Sequence, residues 1–519
     1  TISIDAGVVT GATSITSTDF VGALAGNVVG NLTGTVATVT QNSITTATGL
    51  VTVGAAQQLT TLAGIPFYRD GGNDSIYTHN VSGTDSTAQY NTAYGIGAMD
   101  AITTGDTNTA MGFGALGALT GGARNVAIGY EALLTNTTTS GNVAIGKDAL
   151  KVSVADYNTA VGDGALVANT TGASNLALGR LALAANTTGT QNVGLGSESM
   201  QSNTTGSYNL AIGVSAMDAN TTGSRNIAIG GQSYDASDTE SDNLAIGFAA
   251  MTTNTAGGTQ NVAIGNYALD ASTSGDNNVG VGYAALGVNT SGDNNTAVGW
   301  QAMIANTTGG NNTAVGYGAL GAETTATGNT AVGAGAGDTI TTGNFNVAVG
   351  YNAMTLCTEG IANVGIGHDA VLRTTTGDFN IGIGKEALKE NLTSDGNTAV
   401  GSNAMQSNTT GANSAAFGKN AMYATTTGAQ NTAVGTSALA DNTTGASNVA
   451  VGALALDANT TAAYNVAVGS EALGANTTGA SNTAVGYAAL SANTTAGQCV
   501  AIGRSALAAN TTGARNIAI

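Results

Sequence analysis

Few residues in this 519-residue chain have the type and spacing that catalysis or ligand binding requires. Gly280, Gly282 and Ala285 approximate the glycine fingerprint that lets a backbone close on a dinucleotide pyrophosphate. The same spacing recurs along the chain as part of a repeat, and no strand–helix–strand unit surrounds it, so no nucleotide site is expected. Gly146-Lys147-Asp148, Gly384-Lys385-Glu386 and Gly418-Lys419-Asn420 lack the Ser or Thr that follows the lysine of a phosphate-binding loop, and read as solvated turns. The two histidines, His79 and His368, have no nucleophile partner in sequence, which excludes a repeated catalytic triad. His368 reads as an exposed turn residue. Glu131 and Asp148 stand 17 residues apart, with Glu386 in the same place farther along. Adjacent carboxylates could share a cation or cleave a glycan. Most copies of that position are neutral, however, and the calcium-binding Gly-Gly-x-Gly-x-Asp nonapeptide is absent. No catalytic residue, metal site or cofactor is therefore expected, and the chain reads as non-enzymatic.

Composition points the same way. The chain holds 77 glycines, one proline (Pro66), 4% aromatic and 8% charged residues, and its 42% hydrophobic share is mostly Ala, Val, Leu and Ile. A thick core needs large rings to fill its middle, so a chain this poor in them must bury its apolar groups in a thin layer between closely spaced backbones. The formal charge of −19 is spread thinly, and 12 Lys plus Arg scattered singly offer no basic patch for nucleic acid. Cys357 and Cys499 lie 142 residues apart, about eight repeats along a linear stack, too far to pair within one straight rod. No apolar run approaches the length of a membrane span, so no membrane insertion is expected. The chain starts at Thr1 without a signal peptide, which suggests a processed or partial product.

The elements that carry these residues are copies of one 17-residue unit: Asn, a β-branched residue or Thr, Ala, Ile or Val, Gly, two variable residues, Ala, Leu or Met, then a polar loop often reading Asn-Thr-Thr-Gly. It has 26 starts, from Asn91 through Asn226 and Asn482 to Asn516, spaced by 17 except for a 16 before Asn158 and an 18 before Asn261. Both exceptions fall in the polar half, where a loop absorbs them. The first position is Asn in 24 of 26 copies, Ser414 and Cys499 being the others. The fifth is Gly in all 25 copies that reach it, Gly95, Gly230 and Gly486 among them. Asn91, Gly95, Asn226, Gly230, Asn482 and Gly486 thus stand for the structural positions of the repeat. One repeat predicts one coil of a β-solenoid, stabilised by its neighbours, with an asparagine side-chain ladder along the stack. The fold class expected is all-β: an elongated solenoid of about 26 coils, roughly 125 Å long at one strand spacing per coil. The ninth position is expected to anchor a second short strand. The third position is always Ala or Gly, and this small face is expected to mark a close second backbone, favouring three chains about a common axis.

Ahead of the repeats, Gly22, Gly26, Gly30 and Gly34 alternate with aliphatic residues in FVGALAGNVVGNLTGTV, a spacing that suits intertwined extended chains. The expected organisation is a glycine-periodic β shaft over 1–66, a junction or first cap over 67–90, and the solenoid over 91–519. The chain stops at Ile519, one residue before the next expected Gly, so the polypeptide is expected to continue.

The unit NTAVGYAALSANTT, starting at Asn482, resembles the repeats of phage tail-fibre proteins and related bacterial surface proteins, and is similar to the head repeats of trimeric autotransporter adhesins. The FVGALAGNVVGNLTG run resembles shaft segments of marine phage fibres. The resemblance implies a homotrimeric fibre in the virion tail that mediates host-surface attachment, with a host or cell-surface receptor, glycan included, as partner. The alternative is a bacterial cell-surface adhesin or extracellular filament. A remote alternative is an ice-binding solenoid, from Thr159, Thr296, Thr313 and Thr330 at position two; a glycan depolymerase would need an acidic cleft that the sequence does not show.

Overall fold

The structure is a computed structural model; it describes residues 61–62, 65–66, 68–69, 76–77, 87–254 and 257–519. The chain divides into two units, Thr1–Gln57 and Gln58–Ile519, and everything described belongs to the second. Most of the expected 1–66 shaft and much of the 67–90 junction, His79 included, lie outside the described residues.

Each copy of the repeat forms one short strand at its second to fourth positions, from Thr92–Tyr94 through Val126–Ile128 to Val500–Ile502, with a last pair at Ile517–Ala518. Branched side chains favour this extended backbone, and the glycine at position five ends it. Every strand pairs in parallel with those of the copies before and after it, position for position, as Val126 with Val143, Ala127 with Ala144 and Ile128 with Ile145. The result is an all-β parallel solenoid, with no helix among the described residues. At its start Ile76–Tyr77 pairs in parallel with Thr92–Ala93 and antiparallel with Tyr68–Arg69, laying one more strand on the first coil. Among the described residues no helix is long and apolar enough to cross a membrane.

The small face lies inside the coil, which corrects the expectation that it marks a second chain. Ala127, Ala211 and Ala348 at position three are buried, as are Ala132 and Leu133 at positions eight and nine. The close neighbour of the small face is the ninth-position side chain of the same polypeptide. A Cβ added to Gly194 would sit 3.4 Å from Leu183 Cγ, and one added to Gly365 would sit 2.7 Å from Met354 Cγ. The interior is one methyl plus one Leu or Met deep, so anything larger at position three has no room. Because side chains alternate along a strand, the branched residues at positions two and four then face outward, and only one side of the strand is packed within the chain.

Position nine is also not part of a second strand. Residues six to eleven of each coil are turns, in which ordinary L-residues take left-handed backbone: Glu131 has φ 54° and Leu133 φ 51°. Such a conformation costs about 1–2 kcal/mol per L-residue. Axial hydrogen bonds offset it, since Glu131 N donates to Phe113 O at 2.8 Å and Leu133 N to Ala149 O at 3.0 Å. The turn side of the coil is therefore tied to its neighbours along the axis, as the strand side is.

The fifth-position glycine meets two demands together. Gly230 has φ +133°, and a Cβ there would lie 2.3 Å from the carbonyl oxygen of Gly247 on the next coil. Gly230→Ala should destabilise its coils by about 2 kcal/mol or more. Gly231→Ala, whose Cβ would meet nothing closer than 3.7 Å, should change stability by less than about 0.5 kcal/mol. Hydrogen exchange across residues 209–260 of the two variants checks the difference.

Candidate functional site

Three rows of polar side chains run along the axis, and they account for the residues the repeat keeps constant. At position one, Asn226 N donates to Asn209 Oδ1 at 2.9 Å, and Asn226 Nδ2 donates to Glu240 O of its own coil at 2.7 Å. Asn482 repeats this with Asn465 Oδ1 at 2.9 Å and Ala496 O at 2.8 Å. At the other end of the stack, Asn91 Nδ2 donates to Gly105 O at 2.8 Å and its Oδ1 accepts from Asn108 N at 2.8 Å. One buried amide thus ties successive coils together and closes its own. Gly95, Gly230 and Gly486, with φ of +133°, +133° and +135°, end the strand that each asparagine begins. The ladder passes through both irregular coils: Asn158 N reaches Asn142 Oδ1 at 2.8 Å and Asn261 N reaches Asn243 Oδ1 at 2.9 Å.

Reading the Asn-Thr-Thr-Gly segment as turn chemistry missed a second, equally buried ladder. Asn186 Nδ2 donates to Asn169 Oδ1 at 2.8 Å and to Gly189 O at 3.0 Å, and Asn203 Nδ2 donates to Asn186 Oδ1 at 2.8 Å. Beside it the first threonine forms a third row, Thr170 Oγ1 donating to Thr187 O at 2.9 Å and Thr204 Oγ1 to Thr221 O at 2.9 Å. The signal was present in the spacing: an Asn three residues before a Gly, in step with the repeat. Its burial also means that the glycosylation sequons starting at Asn186, Asn203 and Asn220 have their acceptor amides inside the coil.

Where the first-position Asn is replaced, the backbone rung survives. Ser414 N donates to Asn397 Oδ1 at 3.0 Å, and its Oγ accepts from Asn431 N at 3.1 Å. Cys499 N donates to Asn482 Oδ1 at 2.9 Å, and its Sγ faces Gly513 O at 3.3 Å. Both cysteines are free and buried, and burial pushes the Cys357 thiol up to about 12, which makes it inert in the folded coil.

The exposed ionisable residues form local ion clusters. Lys151 Nζ lies 2.6 Å from Glu131 and 3.1 Å from Asp148, and Lys147 also contacts Asp148. These lysines hold both carboxyls below their usual range: Lys151 acts on Glu131, and Lys147 and then Lys151 on Asp148. A carboxylate pair serving as acid and base needs one member shifted the other way. His368, Asp369 and Glu386 bring ligand atoms within 4.8 Å of one another, but Lys389 Nζ already stands 3.8 Å from each of the two acids. His368 is exposed beside Tyr351, the ring centroids 5.3 Å apart. Gly280, Gly282 and Ala285 lie in the coil itself, Ala285 in the interior and Gly282 with φ +135° against Gly299 O, and form no phosphate cradle.

Two exposed features remain. Phe248, Tyr267, Tyr283, Trp300 and Tyr317 follow one another on five coils with centroids 4.8–6.2 Å apart, and the Trp300–Tyr317 planes differ by 4°. Where the rings stack, each covers its neighbour's face and leaves edges outward. The larger feature is the outward strand face, made by positions two and four. Across all copies these positions hold aliphatic or aromatic residues, Met, Ala or Thr, and never a charged one. Val315 is 37% exposed and Leu178 48%, so the row is only half covered by its own chain.

No protein-family model and no curated protein matches the chain.

The ladders predict unequal sensitivities within one triplet. Asn203→Ala removes the rung to Asn186 and the bond to Gly206 O, and should destabilise coils 192–225 by about 1–3 kcal/mol. The exposed neighbour Thr205→Ala should cost under about 0.5 kcal/mol. Denaturant-dependent hydrogen exchange of both variants decides it.

Proposed function

We propose that this chain is the shaft of a structural fibre, a phage tail fibre that serves host-surface attachment, in which three copies pack through their outward strand faces. The observation that carries the reading is the uncharged row of positions two and four, apolar but for threonine at position two of nine coils, running from Thr92–Tyr94 to Val500–Ile502. Two side chains per coil at about 4.8 Å per rung amount to on the order of 1,000 Å² of apolar surface. A patch of that size is rare on a protein that stays alone in water, and it matches about what one partner of a stable interface buries. The number three comes from the resemblance of the repeat to trimeric fibres. The homotrimer thus rests on the outward branched face, not on the small face that first suggested it.

The reading is non-enzymatic, supported by lysine-neutralised carboxylates and by an interior filled with amide ladders. A host or cell-surface receptor, glycan included, would meet the variable outward residues. A bacterial cell-surface adhesin or extracellular filament has the same need for a long associating stalk, and it is the second reading. Ice binding is less well supported: position two is threonine on no more than three consecutive coils, Thr296, Thr313 and Thr330, and the longer threonine row, as in Thr426 Oγ1 to Thr443 O at 3.1 Å, uses its hydroxyls within the stack.

Light scattering coupled to size exclusion should give a mass near three times the 50.2 kDa of one chain. Val298→Asp, Val315→Asp and Val332→Asp combined should leave the β spectrum unchanged and release single chains on dilution. A single-chain mass for the unsubstituted protein would contradict the assembly.

A further inference from the structure

The inner amide ladder at position twelve is not uniform, and its longest polar interruption within the solenoid has an unusual composition. It runs through Asn289 and Asn306, whose amides are 3.0 Å apart, and is re-established at Asn391 and Asn408, 2.9 Å apart. Between them stand Glu323, Ile340, Cys357 and Thr374. Thr374 rejoins the ladder, its Oγ1 accepting from Asn391 Nδ2 at 3.2 Å. The other three do not. Ile340 has no polar group, and Cys357 Sγ is 3.9 Å from Gly360 O. Glu323 is fully buried, and neither carboxyl oxygen has a hydrogen-bond partner. Asn312 Nδ2 bonds Ala326 O and Asn329 Nδ2 bonds Gly343 O, both at 2.8 Å, and the Asn329 amide is the one side chain that eases the charge of the carboxylate.

The packing changes at the same place. Gly337 stands where most coils have Leu or Met, and a Cβ there would lie 2.9 Å from Leu320 Cδ2 and 3.0 Å from Ile340 Cδ1. Ile340 has taken the room of the missing ninth-position side chain, so the apolar filling has moved to the ladder's position and the amide has been lost. Three successive coils, 312–362, are therefore held by the first-position ladder without the second.

We propose that coils 312–362 are a pH-gated joint in the solenoid, closed while the Glu323 carboxyl is protonated and loosened when it gives its proton to water. A carboxylate in this interior has no cation and only the Asn329 amide to ease its charge, so ionisation favours any state in which the coil opens to solvent. Burial pushes Glu323 up to about 8 against a smaller lowering by the Asn329 amide, and no other ionisable side chain contributes to that shift; Asp338, on the next coil, is itself raised by burial alone. With the folded-state value above the unfolded one, the closed joint is most stable below about pH 4.5, and its stability falls as pH rises towards about 8. The joint is independent of what the fibre attaches to.

Cys357 reports its opening, since it is buried two coils from Glu323. In a Cys499→Ser background it is the one thiol, and the experiment is its labelling rate by a disulfide reagent with and without Glu323→Gln. The thiol's own ionisation cancels in the ratio of the two rates. That ratio should be near one at about pH 5 and rise to about tenfold or more by about pH 8.5. A ratio that stays flat with pH overturns the joint. Should Glu323→Gln fail to fold, hydrogen exchange of the unsubstituted chain decides it. Amides of 312–362 should lose protection over the same pH range relative to coils 409–480, and equal behaviour of the two regions would refute the proposal.

Discussion

A first-position asparagine accepts, on its Oδ1, the backbone N–H of the first-position residue of the next coil, and in most coils it gives its Nδ2 to a carbonyl across its own coil. Asn226 and Asn482 do this with distances between 2.7 and 2.9 Å. That arrangement sets the register of the strands and closes the ring of most coils, and the other features follow from the spacing it imposes. Position five must be glycine because a carbonyl of the next coil lies 2.2–2.7 Å from where a Cβ would be. Position three must be small because the ring so closed leaves only a methyl's depth opposite Leu or Met. The many left-handed residues on the turn side are tolerable because their N–H groups bond along the same axis.

A coil with so thin an interior has too little apolar burial to stand alone, and stability accrues along the stack through nearest neighbours. Defects are consequently local. Ser414 and Cys499 each lose part of an amide's bonding while keeping the backbone rung, and the 16- and 18-residue coils keep the ladder across their changed length. Glu323, Ile340 and Cys357 are a different kind of defect, three adjacent losses in one row, with a buried carboxyl at the edge of the gap.

The architecture was legible in the sequence because the strongest constraints act on residue type at fixed spacing. An Asn and a Gly four residues apart, repeated in step, can be read without coordinates, and the strands fall where positions two to four place them. The orientation of the strand was not legible, since a strand with a small face and a branched face can turn either one inward. The deciding fact is the ninth-position side chain, which meets Gly194 and Gly365 from the same chain. The second asparagine ladder escaped because Asn-Thr-Thr-Gly is also ordinary turn composition, and burial alone separates the two roles. A ninth position written as a strand anchor failed for a related reason: Leu with φ near +50° is rare, and only axial hydrogen bonding makes it affordable.

The small face is the interior of a single chain and the branched face its outside. An electron cryomicroscopy map of the particle that resolves side chains tests it most directly. It should show Gly194 seated against Leu183 of its own polypeptide, with Val193 and Leu195 pointing out of the coil. A map in which the backbone of another chain is seated against Gly194, with Val193 and Leu195 turned inward, would contradict it.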